Sequence, residues 1–506
     1  MANLSAATSE HSPLLRRSSS EAGPDAASQV VEDNEKKTTR SPFFIIALLF
    51  ASMAMTQLSV SFVGPAFSQI EEGVICRRHH PDTANPAHDP RCKDNEVQAD
   101  LSMLRGLEFS FSIAPAILLS LVYGIAADKY GRRPMLRLAG LGIMVIFPLD
   151  LLVFWFSDTL DIRLIWLVAV IATAIGGGIS ILEALILTIA SDVSTPKQRT
   201  NIFFYFGAST VATPLLGNPL AYLAMEKGGP WLTSCIGCAC NVAAFLLILA
   251  VPETINVKNV PDQDVTNSSA SLPTNDASYL RLRWDEAILS AKNALKCLRA
   301  VVWDNKKLSL ILISTLFTKI GAYVNLILLQ YIAKRFSLSW AEANLAISIK
   351  YFTKLILTVL ILPLVSEAVL RMTGSSLRRD LLLSRYCILI TVVSTFGIGT
   401  TSSATVLYAL LVPFSLIEGY SAAIKTLLTQ LTNDGETAIL FSTIAVLENI
   451  GLLLAGPGFA AAFRLGLQWG EGWSGLPLLL AALVFSVATI IVFSVKLDAE
   501  DVPTLD

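Results

Sequence analysis

Apolar residues run along this chain in blocks rather than singly. The first, "PFFIIALLFASMAMTQLSVSFVGPAF" (42–67), contains no Lys, Arg, Asp or Glu. About 20 apolar residues at 1.5 Å each cross the roughly 30 Å hydrocarbon core of a bilayer. Twelve such blocks predict twelve spans, near 43–67, 105–127, 136–156, 164–188, 201–224, 230–251, 308–332, 341–365, 384–401, 405–430, 437–462 and 475–496. Two polar stretches separate them at length. Residues 68–104 read as a long loop after span 1, and residues 252–306 as a linker after span 6. The linker is rich in Pro, Asn, Ser and Asp, then carries an amphipathic helix in "RWDEAILSAKNALKCLRAVVW". The predicted fold is an all-α integral membrane protein of twelve transmembrane helices in two six-helix halves. Its parts are a cytoplasmic tail (1–41), a first bundle (42–251), a linker (252–306), a second bundle (307–497) and a short tail (498–506).

Composition agrees with this pattern. Charged residues make up 15% of the 506, against roughly 25% in a soluble domain. No short apolar core precedes the first span, which is expected to serve as its own insertion signal. A formal net charge of −2, without a basic stretch interleaved with aromatics, argues against nucleic-acid binding. Lys and Arg concentrate in the loops between spans 2 and 3, 4 and 5, and 8 and 9, so both tails and the linker are predicted cytoplasmic.

The 2–3 loop, "GIAADKYGRRP" (124–134), gathers Asp128, Lys129, Arg132 and Arg133 among Gly124, Gly131 and Pro134. Positive-inside anchoring alone needs neither the glycines nor the Asp. Gly124, Asp128, Lys129, Gly131, Arg132 and Arg133 match G-x-x-x-D-[R/K]-x-G-R-[R/K], and with this span count the chain resembles the major facilitator superfamily. The resemblance implies that spans 1, 4, 7 and 10 line a central cavity. It also implies that Asp128 docks against the start of span 11, with Arg132 paired nearby, as a latch between the halves. The 8–9 loop offers a degenerate second copy at Glu367, Arg371 and Gly374. The 4–5 loop, "SDVSTPKQRTNIFFYFGA", resembles tetracycline-type effluxers and proton-coupled folate-type carriers, with Asp192 and Arg199 as the matching positions. "CKDNEVQADLSMLRG" resembles fungal members. Pro214 and Gly217 keep the P-x-x-G of the antiporter motif, while Ser209 and Thr213 replace its upstream glycines.

Ionisable groups within the spans are costly and therefore candidates for function. Glu183 lies roughly 13 Å inside span 4, and Lys425 roughly 12 Å inside span 10, counted from the cytoplasmic ends. The two are expected to face each other, or one substrate, across the cavity. Glu418 lies two turns from Lys425, and Lys319 adds a charge in span 7. Lys350, Lys354 and Glu448 fall on flanking spans 8 and 11, where the two lysines read as snorkelling or internally paired. Glycines 176–178 and Gly451, Gly456 and Gly458 read as helix-packing positions.

Cys76 and Cys92 bracket a non-cytoplasmic loop and predict a disulfide. His79, His80 and His88 between them fit no standard zinc spacing. Cys235, Cys238 and Cys240 lie in an apolar helix and read as packing residues. "EHSPLL" matches an acidic dileucine signal at Glu10, Leu14 and Leu15, the site for a sorting adaptor. No cofactor or metal is expected, no phosphate-binding loop exists to use ATP, and the histidines lie outside the spans, against an enzyme. The expected function is proton-coupled export of a small organic molecule at the plasma membrane. Import by symport, a non-transporting nutrient sensor and a vacuolar location remain the alternatives.

Overall fold

The computed structural model describes residues 42–86, 89–194, 196–252, 306–432 and 437–496. The Glu10, Leu14 and Leu15 signal, His88 and the amphipathic linker helix lie outside them. Regular structure among the described residues is helical. In the first half, α1 is Pro42–His79, α2 Asn95–Tyr130, α3 Arg132–Trp155, α4 Leu164–Gly176, α5 Ile179–Val193 and α6 Pro196–Leu249. In the second, α7 is Lys306–Ala322, α8 Val324–Arg335, α9 Trp340–Ile356, α10 Leu362–Thr373, α11 Ser376–Thr400, α12 Ala404–Phe414, α13 Ile417–Gln430, α14 Thr437–Trp469 and α15 Leu476–Ser494. Eleven stretches of the described residues are long and apolar enough to cross a membrane. Predicted spans 5 and 6 both fall in α6, which is non-helical at Gly229 (φ 72°, ψ −179°) just before Pro230. Only glycine holds that backbone cheaply.

Three of the spans expected to line a cavity are interrupted. Span 4 breaks between α4 and α5 at Gly177 and Gly178, both with positive φ. Gly176, by contrast, packs tightly: a Cβ there would come within 2.7 Å of the Gly142 Cα. Spans 7 and 10 break at Tyr323 and at Ser415 with Leu416. Span 8 carries one π-helical segment, Leu357–Ile361, between α9 and α10.

The predicted 68–104 loop is a correction. Span 1 continues as helix to His79, and span 2 begins at Asn95 rather than 105. Acidic residues read as loop are buried and paired, so they do not end the helix. Arg105 Nε donates to Glu71 Oε2 at 2.7 Å, and Lys93 Nζ lies 2.8 Å from Glu72 Oε1. Arg77, Arg78 and His79 in the last turn of α1 suit the negative end of its dipole. Between the helices, the Cys76–Cys92 disulfide closes the connection. The face carrying it, predicted non-cytoplasmic, is called the outer face below.

The apolar cores show how the halves meet. One cluster mixes residues of both halves near the outer face, from Val74, Leu101 and Leu104 to Tyr331, Trp340 and Phe463. Toward the opposite face each half has its own core, Leu49, Leu136 and Ile186 in one and Leu308, Leu381 and Leu427 in the other. The molecule is therefore sealed at the outer face and divided at the inner one. The crossing of α2 and α14 depends on Gly106 and Gly456. A Cβ on Gly106 would meet the Ala460 Cβ at 2.7 Å and the Gly456 carbonyl oxygen at 2.8 Å. Large apolar side chains such as Leu118, Leu454 and Ile490 are exposed on the flanks and face lipid.

Overpacking that crossing should be costly. Gly106→Val is expected to lower stability by roughly 1–3 kcal/mol, read as an earlier thermal unfolding transition of the purified protein. Gly458→Ala, where a Cβ meets nothing within 4 Å, should leave the transition unchanged or raise it. Equal transitions for the two variants would refute the close crossing.

Candidate functional site

A cavity of about 440 Å³ lies between the halves, below the outer seal. Its polar lining comes from five helices: Gln57 and Ser61 of α1, Arg105 and Glu108 of α2, Asn218 of α6, Asn325 and Gln330 of α8, and Asn344 and Lys350 of α9. Arg105 and Glu108 stand one turn apart and share a helix face. Arg105 is committed to Glu71 on α1. Glu108 makes no hydrogen bond or ion pair among the described residues. Behind them on α3 lies Asp150, buried, with its Oδ1 unpartnered. Glu71, Glu108 and Asp150 are close enough to interact electrostatically. On the other wall, Lys350 Nζ donates to Asn325 Oδ1 at 2.6 Å, and Lys354 Nζ to Glu418 Oε1 at 2.8 Å.

Glu72 organises the roof. It is 4% exposed and accepts from Trp340 Nε1 of the opposite half at 2.8 Å, from Lys93 and from Gln98 Nε2. Lys93 Nζ also sits 4.7 Å over the Trp340 ring, a cation–π contact. The Lys93 carbonyl accepts from Lys334, and Gln330 Nε2 donates to the Gln98 carbonyl at 2.8 Å. Lys93 follows Cys92, so the disulfide holds this cation above the tryptophan. Outside the roof, Arg91 hydrogen-bonds Asp89 at 2.8 Å and Asp82 at 2.9 Å, and these bonds hold both carboxyls below the usual range. Groups so lowered stabilise the fold above their unfolded pKa and lose that contribution only as pH falls through the folded value. The outer loop thus keeps this clamp in mildly acidic medium.

The predicted site residues are distributed differently from the expectation. Glu183 sits in the second turn of α5, half-buried, without a hydrogen bond or ion pair among the described residues. Lys425 does not pair with it. Instead Lys425 Nζ lies 3.4 Å from Glu448 Oε1, and Lys319 Nζ 3.2 Å from Glu448 Oε2. Glu418 turns to Lys354, and Lys350, expected to snorkel or pair internally, lines the cavity. In the 2–3 loop, Gly131 (φ 101°) makes the turn between α2 and α3, and no neighbour lies within 4 Å of a Cβ built on Gly124. Arg132 forms an ion pair with Asp192 at the end of α5 and donates to the Thr188 carbonyl at 3.3 Å, joining the two cytoplasmic-loop motifs within one half. The Arg133 Nε is buried and unpartnered. The side chains of Asp128, Lys129 and Arg199 lie outside the described residues, and with them the expected contact to span 11.

Sequence reasoning missed Glu71, Glu72, Lys93, Arg105, Glu108 and Asp150. Asp150 was detectable, as an acid inside the predicted third span. Arg105 and Glu108 stood in the first turn of the predicted second span, and Glu71, Glu72 and Lys93 where a loop was expected; continued helical periodicity past residue 67 would have exposed the two glutamates.

Residues 49–457 match the family model described as Major Facilitator Superfamily. The MFS efflux pump atnC of Emericella nidulans is 28% identical over 471 residues, covering 90% of this chain and 88% of that protein. The MFS-type transporter aprT of Aspergillus flavus is 27% identical over 467 residues, covering 89% and 88%. Among solved structures, the nucleoside transporter NupG superposes with a TM-score of 0.61 at 12% identity, covering 90% of this chain and 100% of that one. That likeness concerns the fold.

The roof generates a prediction. Trp340→Phe keeps an aromatic ring but removes the N–H donor to buried Glu72, a bond to a charged group worth about 1.5–3 kcal/mol. We expect the outer seal to open more often, by roughly 10–100-fold in population. The measurement is labelling of Ser102→Cys by an impermeant maleimide from outside, with Cys235, Cys238, Cys240, Cys297 and Cys387 replaced by Ser. Unchanged labelling in Trp340→Phe would show that the indole N–H does not hold the seal.

Proposed function

Since the chain belongs to the major facilitator superfamily, we propose that this secondary transporter exports a small organic molecule in exchange for protons. It is an integral membrane protein and not an enzyme, and alternating access is the mechanism its fold provides. The observation that carries the proposal is the cavity between the halves: sealed on the outer side, lined by Glu108, Arg105 and Lys350, and backed by Glu71 and Asp150. A carboxylate that faces a cavity without a cation partner can take up a proton and release it when the opposite side opens. Its charge then determines which state of the carrier is favoured. Glu108 is placed for this from the sealed side, and Glu183 from the inner half of span 4. The name of the Emericella nidulans relative supports export, as do the partial antiporter motif and the tetracycline-type loop.

The remaining roles follow. Lys319, Glu418 and Lys425 belong to the substrate path in the second half. Gly124, Asp128, Gly131, Arg132 and Arg133 form the latch loop, with the Arg132–Asp192 pair fixing it to span 4 in the sealed-outside state. The proposed location is the plasma membrane, with the vacuolar membrane as alternative if an adaptor engages Glu10, Leu14 and Leu15.

The test is cellular accumulation of a panel of labelled organic compounds under overexpression. Wild type should lower accumulation, and collapse of the proton gradient should restore it. Glu108→Gln should cut proton-driven export at least roughly tenfold while leaving substrate counterflow within about twofold, because exchange of bound substrate needs no proton. Glu183→Gln should show a smaller loss of the same kind. Raised accumulation under wild type would reverse the direction to import. Loss of counterflow in Glu108→Gln would make that carboxylate a structural or substrate-binding group.

A further inference from the structure

We propose that Lys319 and Lys425 form a binding site for the carboxylate of an organic anion, with Glu448 occupying it as an internal competitor when substrate is absent. The inference rests on the transport reading and specifies its substrate class. The three side chains come from α7, α13 and α14. Each lysine takes one oxygen of the same carboxylate, at 3.2 Å and 3.4 Å. Two cations against one acid leave one positive charge uncompensated, and no other carboxylate among the described residues reaches either ammonium. The lysine side chains are 36% and 39% exposed, the glutamate 20%. The cations are thus the accessible members, and they open toward an aqueous path, since lipid would not tolerate them.

The neighbouring lysines show that this ratio is not a general habit of the second half. Lys354 has its own acid in Glu418, and Lys350 rests on the neutral Asn325 amide. Across the spans, the two halves carry opposite surpluses. Glu71, Glu108, Asp150 and Glu183 outnumber Arg105 in the first half. Lys319, Lys350, Lys354 and Lys425 outnumber Glu418 and Glu448 in the second. An anion therefore finds its partner in the second half, while proton exchange falls to the first. A substrate carboxylate reproduces what Glu448 already offers, one oxygen to each ammonium, and adds the charge that balances the second lysine. A cationic substrate would find Glu448 already engaged twice.

The test uses the purified full chain and thermal stabilisation by matched probes, benzoate and 2-naphthoate against benzamide and 2-naphthamide. The carboxylates are expected to half-saturate at concentrations at least tenfold below the amides in wild type. Lys319→Met and Lys425→Met should each abolish that preference, and Lys319→Arg should retain part of it. Glu448→Gln should bind the carboxylates several-fold more tightly, because the competitor is gone. Equal effects of acid and amide in wild type would overturn the proposal. So would a preference that survives in a lysine variant, or a Glu448→Gln protein that binds carboxylates no tighter. Binding needs no gradient: failure of proton-driven export in cells would count against the transport reading and leave this site standing. Equal binding of acid and amide with export intact would remove this site alone.

Discussion

Glu72 is the group on which the observed state depends. A carboxylate 4% exposed in a membrane protein must have its charge met by donors, and here those donors come from three places at once. Lys93 belongs to the disulfide-closed connection, Gln98 to the first turns of α2, and Trp340 to the opposite half. Removing any one leaves a buried charge short of a partner. The outer seal is consequently not only a contact of apolar surfaces. The core that mixes Val74 and Leu101 with Tyr331 and Phe463 packs beneath a polar knot that fixes its register.

The inner side obeys a different rule. Each half keeps a separate apolar core there, and Arg132 with Asp192 ties together helices of one half. Such a division lets the halves rotate as bodies about their outer contacts, because no inner contact between the described cores has to break first. The glycine crossing of Gly106 and Gly456 places two backbones in contact without side chains between them. A contact of that kind tolerates rocking better than interdigitated side chains do, since no rotamers need to change as the angle alters. Opening the outer side, in contrast, requires Glu72 to exchange partners. The cost of the transport cycle is therefore concentrated at the roof.

Much of the architecture was legible because the bilayer imposes it. Twenty apolar residues in a row have few alternatives, and the span pattern follows from length alone. The 68–104 stretch was misread for a physical reason: its charges are satisfied by tertiary partners, and a charge paired across helices looks in sequence like a charge in water. Glu71 is legible as buried only when Arg105 is known to stand opposite. The same limit applies to Lys425. Its depth in span 10 could be counted, but its partner Glu448 sits 23 positions away on a different helix, and spacing says nothing about which faces of α13 and α14 meet. The breaks at Gly177 and Gly178 lay in plain view as a glycine run. Packing and interruption both use glycine, and the structure assigns Gly176 to the first and its two successors to the second.

The positions of these charges also explain why cavity and roof need not interfere. Arg105 is shared by both: it holds Glu71, lines the cavity, and lies 5.8 Å from the centroid of the Trp340 ring that Lys93 also approaches. A change of charge at Glu108, one turn away, alters the field at Arg105 without touching Glu72 directly. Because low dielectric extends such fields, protonation in the cavity can bias the roof through Arg105 and Trp340, with no side chain travelling between them. The state of the seal and the charge of the cavity are in that sense one equilibrium, read at two ends of a single cation.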